Sequence, residues 1–276
     1  MLIDTHAHLN FSAFKGDADE TVKRALDNDI WMINVGSQYS TSQRAVLMAE
    51  KYKEGVYAAV GIHPLHLQKI NFSYKDDNEL EEVEIKTNGE DFEYSKYLEL
   101  AKNSKVVAIG EMGLDYHHFE EGDDREELKK KQKEVLIQGI KLANEVEKPI
   151  MIHCWDAYED LYEILKDNPA VRRGIIHSFV GGHKTALKFV ELGYKIGLNG
   201  IITYSESYDR LIKEIDLKNM LLETDCPYLA PVPRKGERNE SMYVKYVAEK
   251  IAEIKRVNIE KVEKSTTENA RRLLGI

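Results

Sequence analysis

Short apolar segments alternate with longer amphipathic segments along almost the whole chain. The apolar segments are four to six residues long, which is the length and composition expected of strands that are buried on both faces. The predicted strands are Met1–Thr5, Trp31–Val35, Val56–Gly61, Val106–Gly110, Pro149–His153, Gly174–His177, Tyr194–Gly197 and Met220–Glu223. This pattern predicts a parallel sheet built from eight strands.

The segments between these strands carry apolar residues at three- and four-residue spacing, which predicts amphipathic helices. The predicted helices are Asp17–Asn28, Thr41–Tyr52, Arg125–Glu147, Trp155–Asn168, His183–Leu192, Tyr208–Ile215, Ser241–Lys255 and Asn258–Leu274. Strands that alternate with helices favour a (β/α)8 TIM barrel spanning residues 1–276 as a single domain. An open doubly wound sheet is the alternative, but no glycine-rich fingerprint follows the first strand.

One acidic stretch interrupts this alternation after the third strand. Residues 71–95 contain nine acidic and two basic residues, so they supply most of the chain's net charge of −9. We interpret the stretch as a solvated insertion, because local acidic runs are usually exposed. The acidity argues against non-specific nucleic-acid binding through a broad basic face. It does not exclude a nuclease, since bound metal ions can reverse the local charge.

The remaining composition indicates the cellular compartment to expect. Cys154 and Cys226 lie far apart in sequence, so no disulfide framework is expected. The opening residues MLIDTHAHLN have neither the basic region nor the apolar run of a signal peptide. No apolar run approaches the length of a membrane span. We therefore expect a cytoplasmic protein with no membrane contact, and no obligate protein partner is evident.

Polar residues cluster where the predicted strands end. On a barrel, the carboxyl ends of the strands form one rim, and active sites lie there. These positions are Asp4–His8, Gly61–Pro64, Gly110–Asp115, His153, His177 and Glu223–Asp225. His6 and His8 are two residues apart on a strand, so their side chains should point the same way. Two adjacent imidazoles suit a divalent transition ion.

Six potential ligands are too many for one tetrahedral ion, so we expect two divalent metal ions, such as Mg²⁺, Zn²⁺ or Mn²⁺. His6, His8 and Asp225 would hold one ion. His153 and His177 would hold the other, and Glu111 would bridge the two. Ions about 3.5–4 Å apart could activate a water and stabilise the attacking and leaving oxygens.

Taken in chain order, these motifs resemble the TatD family of metal-dependent deoxyribonucleases, within the metallo-dependent hydrolase type of TIM barrel. The matching stretches are IDTHAHLN at 3–10, AVGIHP at 59–64, AIGEMGLDY at 108–116, MIHCWDA at 151–157, IIHSFVGG at 175–182, LLETDCPYLAP at 221–231 and TTENARRLLGI at 266–276. The resemblance implies metal-dependent hydrolysis of DNA, with 3′–5′ exonuclease action on single-stranded ends as the main expectation.

The resemblance also implies roles for individual residues. His6, His8, Glu111, His153, His177 and Asp225 match the family's metal ligands. Glu111 and Asp225 are then the catalytic carboxylates, with Asp225 as the general base. His63 matches a histidine that contacts the phosphate, and Arg238 and Asn239 could hold a phosphate as well. Two departures stand out. Ser241 replaces the proline of the family's RNEP motif, and the acidic insertion could narrow the path for DNA.

Several alternatives remain open from the sequence alone. The same rim could hydrolyse a small amide, ester or lactone, although a phosphate clamp at Arg238 favours a phosphodiester. A barrel that keeps metal only for stability is a third possibility, which the complete ligand set disfavours. Trp155 and Tyr116 could stack on a base or simply pack. The histidines at 66, 117, 118 and 183 could contact substrate or be merely exposed.

Overall fold

The computed structural model describes residues 1–74, 83–120 and 122–276, without the side chains of 71–74 and 83–85. Within these ranges one sheet contains eight strands. Each strand pairs in parallel with its neighbour, in chain order. The strands are β1 Leu2–Ala7, β2 Ile30–Val35, β3 Val56–Val60, β6 Val106–Asp115, β7 Ile150–Trp155, β8 Gly174–Ile176, β9 Lys195–Leu198 and β10 Met220–Leu222.

Helices alternate with these strands and cover the outside of the sheet. They are α1 Ala18–Asp27, α2 Tyr39–Glu50, α3 Tyr94–Ala101, α4 Arg125–Glu145, α5 Tyr158–Asp167, α6 His183–Glu191, α7 Asp209–Glu214, α8 Val244–Lys255 and α9 Ile259–Leu274. The larger apolar core lies between the strands and these helices. A smaller core fills the interior of the sheet, where Ala270 and Leu274 of α9 join it.

The first and last strands come together, so the eight strands form a nearly closed barrel. The Thr5 hydroxyl donates to the Leu222 carbonyl at 3.1 Å, and the Asp225 amide donates to the His6 carbonyl at 2.9 Å. The His8 amide donates to the Cys226 carbonyl at 2.9 Å. The predicted TIM barrel is confirmed, and these bonds place the ends of β1 and β10 beside each other at the rim.

Some element boundaries differ from the sequence prediction. β6 runs five residues beyond the predicted end at Gly110, so it includes Glu111 and Asp115. Trp155 was predicted to begin a helix, and this is wrong: it ends β7, and α5 begins at Tyr158. Polar and glycine residues mask the continuing β pattern in both segments.

The acidic insertion contains ordered structure that its composition did not indicate. β4 Asn71–Tyr74 pairs antiparallel with β5 Val83–Lys86, and α3 begins at Tyr94. Most of residues 86–95 are exposed, as predicted, but Thr87 is buried and its hydroxyl accepts from the Ile70 amide. Residues 75–82, which carry much of the predicted acidity, lie outside the described residues.

No described helix combines the length and apolar character needed to cross a membrane. Cys154 and Cys226 are both buried as free thiols.

Candidate metal centre

His6 and His8 lie at the carboxyl end of β1, at the mouth of the barrel. Ile3 packs in the interior core, so strict alternation would turn His6 away from the interior. The pairing register of β1 with β2 shifts between Asp4 and Ala7, which re-aims the strand at this point. The Nε2 atoms of His6 and His8 lie 3.2 Å apart, and both residues are buried. The sequence predicted the shared direction, but it did not reveal the shift.

Glu111 lies at the centre of the cluster and presents its two oxygens to opposite sides. Its Oε2 atom is 3.5 Å from His6 Nε2 and 4.0 Å from His8 Nε2. Its Oε1 atom is 3.2 Å from His153 Nδ1, 3.7 Å from His63 Nε2 and 3.8 Å from His177 Nε2. A carboxylate in this position could serve two ions at once.

Asp225 completes the first side of the site, and His177 stands between the two sides. The Asp225 Oδ1 atom lies 3.3 Å from His8 Nε2, 3.7 Å from His177 Nε2 and 3.9 Å from His6 Nε2. The rings of His6 and His177 stack with centroids 3.4 Å apart. The structure thus brings the six predicted ligands together, while His177 is as near to Asp225 as to Glu111.

Hydrogen bonds to β1 hold the segment that carries Asp225. Asp4 accepts two hydrogen bonds from Thr224, one from its amide at 2.9 Å and one from its hydroxyl at 2.6 Å. Burial opposes ionisation of Asp4 and raises the pKa of its carboxyl to about 7, although these hydrogen bonds act in the other direction. Asp225 itself has a positive φ of 59°, which an aspartate tolerates better than most residues. Its side chain is 18% exposed, so one carboxylate of the site faces the mouth.

Most imidazoles of the site are held through one nitrogen, which sets what the other nitrogen can do. His8 Nδ1 contacts the Val35 carbonyl at 2.9 Å, and His177 Nδ1 contacts Glu223 Oε2 at 3.0 Å. His153 Nε2 contacts Asp115 Oδ2 at 3.0 Å. Each of these oxygens can only accept, so a neutral imidazole keeps its hydrogen there and presents a lone pair to the site.

His63 has the opposite arrangement. Its Nδ1 atom accepts a hydrogen bond from the Leu65 amide at 3.2 Å. A neutral ring that accepts through Nδ1 carries its hydrogen on Nε2. Burial and the neighbouring His153 lower the pKa of His63 to about 3, so the ring is neutral. Although His63 lies within reach of Glu111 and His153, its Nε2 therefore offers a hydrogen-bond donor rather than a metal-binding lone pair.

Asp115 and Glu223 are functional residues to which sequence reasoning gave no role. Both are buried acceptors, and they hold His153 and His177 respectively. The Ser178 amide also donates to Glu223 at 2.9 Å. Their signal in the sequence was a carboxylate near a strand end, close to Glu111 or Asp225. Deciding which carboxylates bind metal and which orient a ligand requires knowing where each side chain points.

The charges of the site are strongly coupled. Burial opposes ionisation of Glu111, yet His63 and His6 hold the pKa of its carboxyl well below its usual range. Burial also opposes protonation of His153, but hydrogen bonds to Asp115 and Glu111 raise its pKa to about 9. For His177, the effect of Glu223 and Asp225 outweighs burial and raises the pKa well above its usual value. The carboxylates around His153 and His177 therefore favour positive charge at these two positions.

The donor atoms fit divalent metal ions. Among the described residues, three groups of histidine and carboxylate atoms lie within 4.8 Å of one another: His6, His8 and Glu111; His6, His177 and Asp225; and His63, Glu111 and His153. In the third group, His63 presents a hydrogen-bond donor and not a lone pair. Ligand bonds of about 2.0–2.2 Å place two ligands of one ion about 3–4.4 Å apart. The distances from His6 and His8 to each other and to the Glu111 and Asp225 carboxylates, 3.2–4.0 Å, lie in this range. Nitrogen and carboxylate oxygen together suit Zn²⁺ and Mn²⁺, and the carboxylates suit Mg²⁺.

Arg238, in the loop after β10, makes contacts within the protein, whereas the sequence suggested a contact with phosphate. The Arg238 guanidinium donates to Asp17 Oδ1 at 2.9 Å and to the Ala13 carbonyl at 2.8 Å, and lies 4.3 Å from the Phe14 ring centroid. In this conformation it ties the loop to the start of α1, and its contact with phosphate stays a prediction.

Two neighbours of Arg238 in the same loop are buried. The Asn239 amide donates to the carbonyls of Thr224 and Tyr228, so it supports the loop that carries Asp225 and is not directed at a phosphate. Ser241, which stands where the family has proline, has its hydroxyl 4.0 Å from the Cys226 sulfur.

The chain is similar to known proteins over nearly its whole length. The family described as "TatD related DNase" matches residues 3–275. The Bacillus subtilis protein named "Uncharacterized metal-dependent hydrolase YabD" is 40% identical, with 100% of each chain covered. The mouse "Putative deoxyribonuclease TATDN3" is 29% identical over 99% of this chain and 87% of its own. The crystal structure of the Escherichia coli TatD homologue YjjV superposes with a TM-score of 0.82 at 29% identity, covering 100% and 98% of the two chains.

Proposed function

Because the chain belongs to the TatD-related family of metal-dependent hydrolases, we propose that it hydrolyses phosphodiester bonds of DNA. We further propose 3′–5′ action on single-stranded ends with two divalent ions, in a reducing compartment such as the cytoplasm. The observation that carries the proposal is the position of Glu111, whose two oxygens face separate sets of histidines. When bound, two divalent ions would activate a water and offset charge on the attacking and leaving oxygens.

The residues of the chain supply positioning and proton transfer. Asp225 is more exposed than the other carboxylate of the cluster, Glu111. Its carboxylate can therefore accept a proton from an attacking water. Burial disfavours its charged form, but His177 and His8 keep the pKa of its carboxyl below the usual value, so it is ionised and ready to accept. His63 can donate from Nε2 to a phosphate oxygen, which supports the substrate-binding role expected from the sequence.

The proposal is tested with purified, metal-stripped protein. End-labelled single-stranded DNA is incubated with the protein and Mg²⁺, Mn²⁺ or Zn²⁺, and products are resolved by length. We expect shortening from the 3′ end that stops when the metal is chelated. Absence of DNA cleavage, together with turnover of a small ester, amide or lactone, would show that the alternative hydrolase activity is correct.

Asp225→Asn tests the proton acceptor. Asparagine keeps an oxygen for the metal but is a poor base, so turnover should fall by about 100- to 10,000-fold while metal is still bound. Rates are compared with metal content measured on the same sample. Asp216→Asn is a matched control, because Asp216 is 71% exposed on the surface. A variant that binds metal and cleaves at nearly the normal rate would rule out Asp225 as the base.

A further inference from the structure

Three aromatic side chains form a wall at the rim where β6 and β7 end. The ring of His117 stacks on Trp155, with centroids 4.7 Å apart and planes 12° apart. His118 meets Trp155 edge-on, with centroids 4.9 Å apart. We call His117, His118 and Trp155 the aromatic wall. Its outer ring, His117, has a side chain that is 49% exposed, so the wall offers an aromatic face to solvent.

The wall stands next to a ligand of the metal centre. Trp155 is two residues after His153 on β7, so both side chains leave the strand on the same side. A second connection runs through Asp115, whose Oδ2 atom is 3.0 Å from His153 Nε2 and 2.9 Å from His118 Nδ1. A ring placed on the wall would therefore belong to a group close to the scissile bond.

The wall is fixed in place before any ligand arrives. His117 Nδ1 lies 2.8 Å from Asp156 Oδ2, and His118 is held by Asp115. Fixed rings cost little conformational entropy on binding. The polar groups that orient these two histidines are carboxylates, which repel phosphate. The wall is therefore suited to an uncharged aromatic ring, and the phosphate must lie on the metal side.

We propose that the aromatic wall stacks the unpaired nucleobase of a nucleotide that flanks the scissile phosphate. This inference rests on the proposed function. A base within a duplex is stacked between its neighbours, so it cannot lie on the wall unless the end frays or the base leaves the helix. Stacking tolerates every base, because each has a flat π-face. The wall thus selects single-stranded ends without reading their sequence.

The test compares oligonucleotides that carry either a normal base or an abasic residue on one side of the scissile phosphate, with each side tried in turn. For the wild-type protein, removing the stacked base should raise KM about tenfold or more, which is the size of one base–aromatic stack. Trp155→Ala and His117→Ala should cleave the normal substrate with that raised KM. In both variants, KM should change little when the base is removed. Trp155→Phe should restore much of the difference in KM between the normal and the abasic substrate.

Tryptophan fluorescence gives a second readout that does not require turnover. The chain has two tryptophans, and Trp31 lies at the start of β2, where the Arg271 guanidinium is 4.8 Å from its ring centroid. In Trp31→Phe, single-stranded DNA with non-hydrolysable linkages, added with metal present, should quench the emission of Trp155. Abasic DNA of equal length should quench it less.

The outcomes separate the two proposals. If the wild-type protein cleaves no DNA with any of the three metals, the proposed function fails and the wall loses its substrate. If it cleaves DNA but KM is unchanged by abasic substitution on both sides, each tried separately, the wall proposal alone is overturned. Circular dichroism and metal content of each variant exclude misfolding as the cause of a raised KM, and the side chain changed in His117→Ala is 49% exposed.

Discussion

At the scale of single residues, the site depends on hydrogen-bond partners that decide which nitrogen each imidazole offers. Glu223 and Asp115 keep hydrogens on the far nitrogens of His177 and His153, so each ring in its neutral form presents a lone pair on the near nitrogen. The Leu65 amide does the reverse to His63. One residue type can therefore present a lone pair at some positions and a hydrogen-bond donor at another.

Glu223→Gln tests this orienting role. Glutamine keeps an oxygen for the Ser178 amide and His177, but it removes the buried charge that makes His177 a better ligand. Loss of such an orienting partner typically weakens metal binding about 10- to 100-fold. A competitive titration with a chromogenic chelator measures the affinity. Glu126→Gln, at a side chain that is 85% exposed, is the control. Equal affinities in the two variants would contradict the role assigned to Glu223.

The sequence identified the metal-binding residue types and their approximate positions, since strand ends and period-two spacing are local properties. It named Asp225 as a ligand but gave no role to Glu223, two residues earlier, because the contact of Glu223 with His177 depends on how β8, β9 and β10 pack. It also suggested a phosphate contact for Asn239, whose amide instead binds two backbone carbonyls. The role of such a side chain depends on contacts with residues that are distant in sequence.

At the scale of elements, close approach between β9 and the segment after β10 positions Glu223. Gly197 lies on β9, and a Cβ atom added there would be 2.2 Å from Glu223 Oε1. Gly113 on β6 is similarly tight, since an added Cβ would be 1.9 Å from the His153 carbonyl oxygen. Each glycine lets a ligand-bearing strand pack against its neighbour.

Gly197→Ala should therefore displace Glu223 and disturb His177. Overpacking of this kind typically costs about 1–3 kcal/mol in the free energy of unfolding. Urea denaturation should show this loss, and metal affinity should fall with it. Gly16→Ala serves as the control, because nothing lies within 4 Å of a Cβ added there. Unchanged stability and affinity in Gly197→Ala would show that the strands can adjust.

Arg238 and Asp17 connect the loop after β10 to the start of α1. The hydrogen bond from Arg238 lowers the pKa of Asp17, so the pair stabilises the fold above the unfolded pKa of about 4 and loses this effect as the pH falls. Both side chains are about one-third exposed, so solvent limits the contribution to about 1 kcal/mol or less.

In Arg238→Lys, the guanidinium that donates to both carboxylate oxygens of Asp17 is lost. We expect a loss of about 1 kcal/mol or less in the free energy of unfolding at pH 7, shrinking towards zero near pH 2. Denaturant unfolding across this pH range measures it, with Arg234→Lys as the control. The KM for DNA is a separate readout: a rise at unchanged stability would favour the phosphate contact predicted from the sequence. A stability loss that persists undiminished at low pH would contradict the ion-pair explanation.

At the scale of the whole molecule, metal and fold should stabilise each other. A ligand that binds only the native state at about 100 times its Kd adds about 2.7 kcal/mol to stability. For a chain of this size, that corresponds to a rise in Tm of about 5–10 °C. Differential scanning fluorimetry of metal-stripped protein with and without Mn²⁺ or Zn²⁺ measures the shift. His8→Ala should abolish most of it, and an equal shift in that variant would place the stabilising ion elsewhere.

The barrel as a whole was predictable because its eight apolar segments repeat regularly, and each strand pairs with the next along the chain. The hairpin of β4 and β5 and the helix α3 were not predicted, because acidic composition dominates the pattern there. The boundaries at Asp115 and Trp155 were missed for a different reason. Strand ends at the rim carry polar and aromatic side chains that serve the site, so the hydrophobic pattern ends before the strand does.

The contacts between β1 and the segment after β10 determine when the centre can form during synthesis. Asp4 and Thr224 bond across a separation of 220 residues, and the same seam joins His6 to Asp225. During synthesis, the two histidines leave the ribosome long before the aspartate exists. Contacts of such long range form late. The centre therefore cannot assemble until the chain has been made through Asp225.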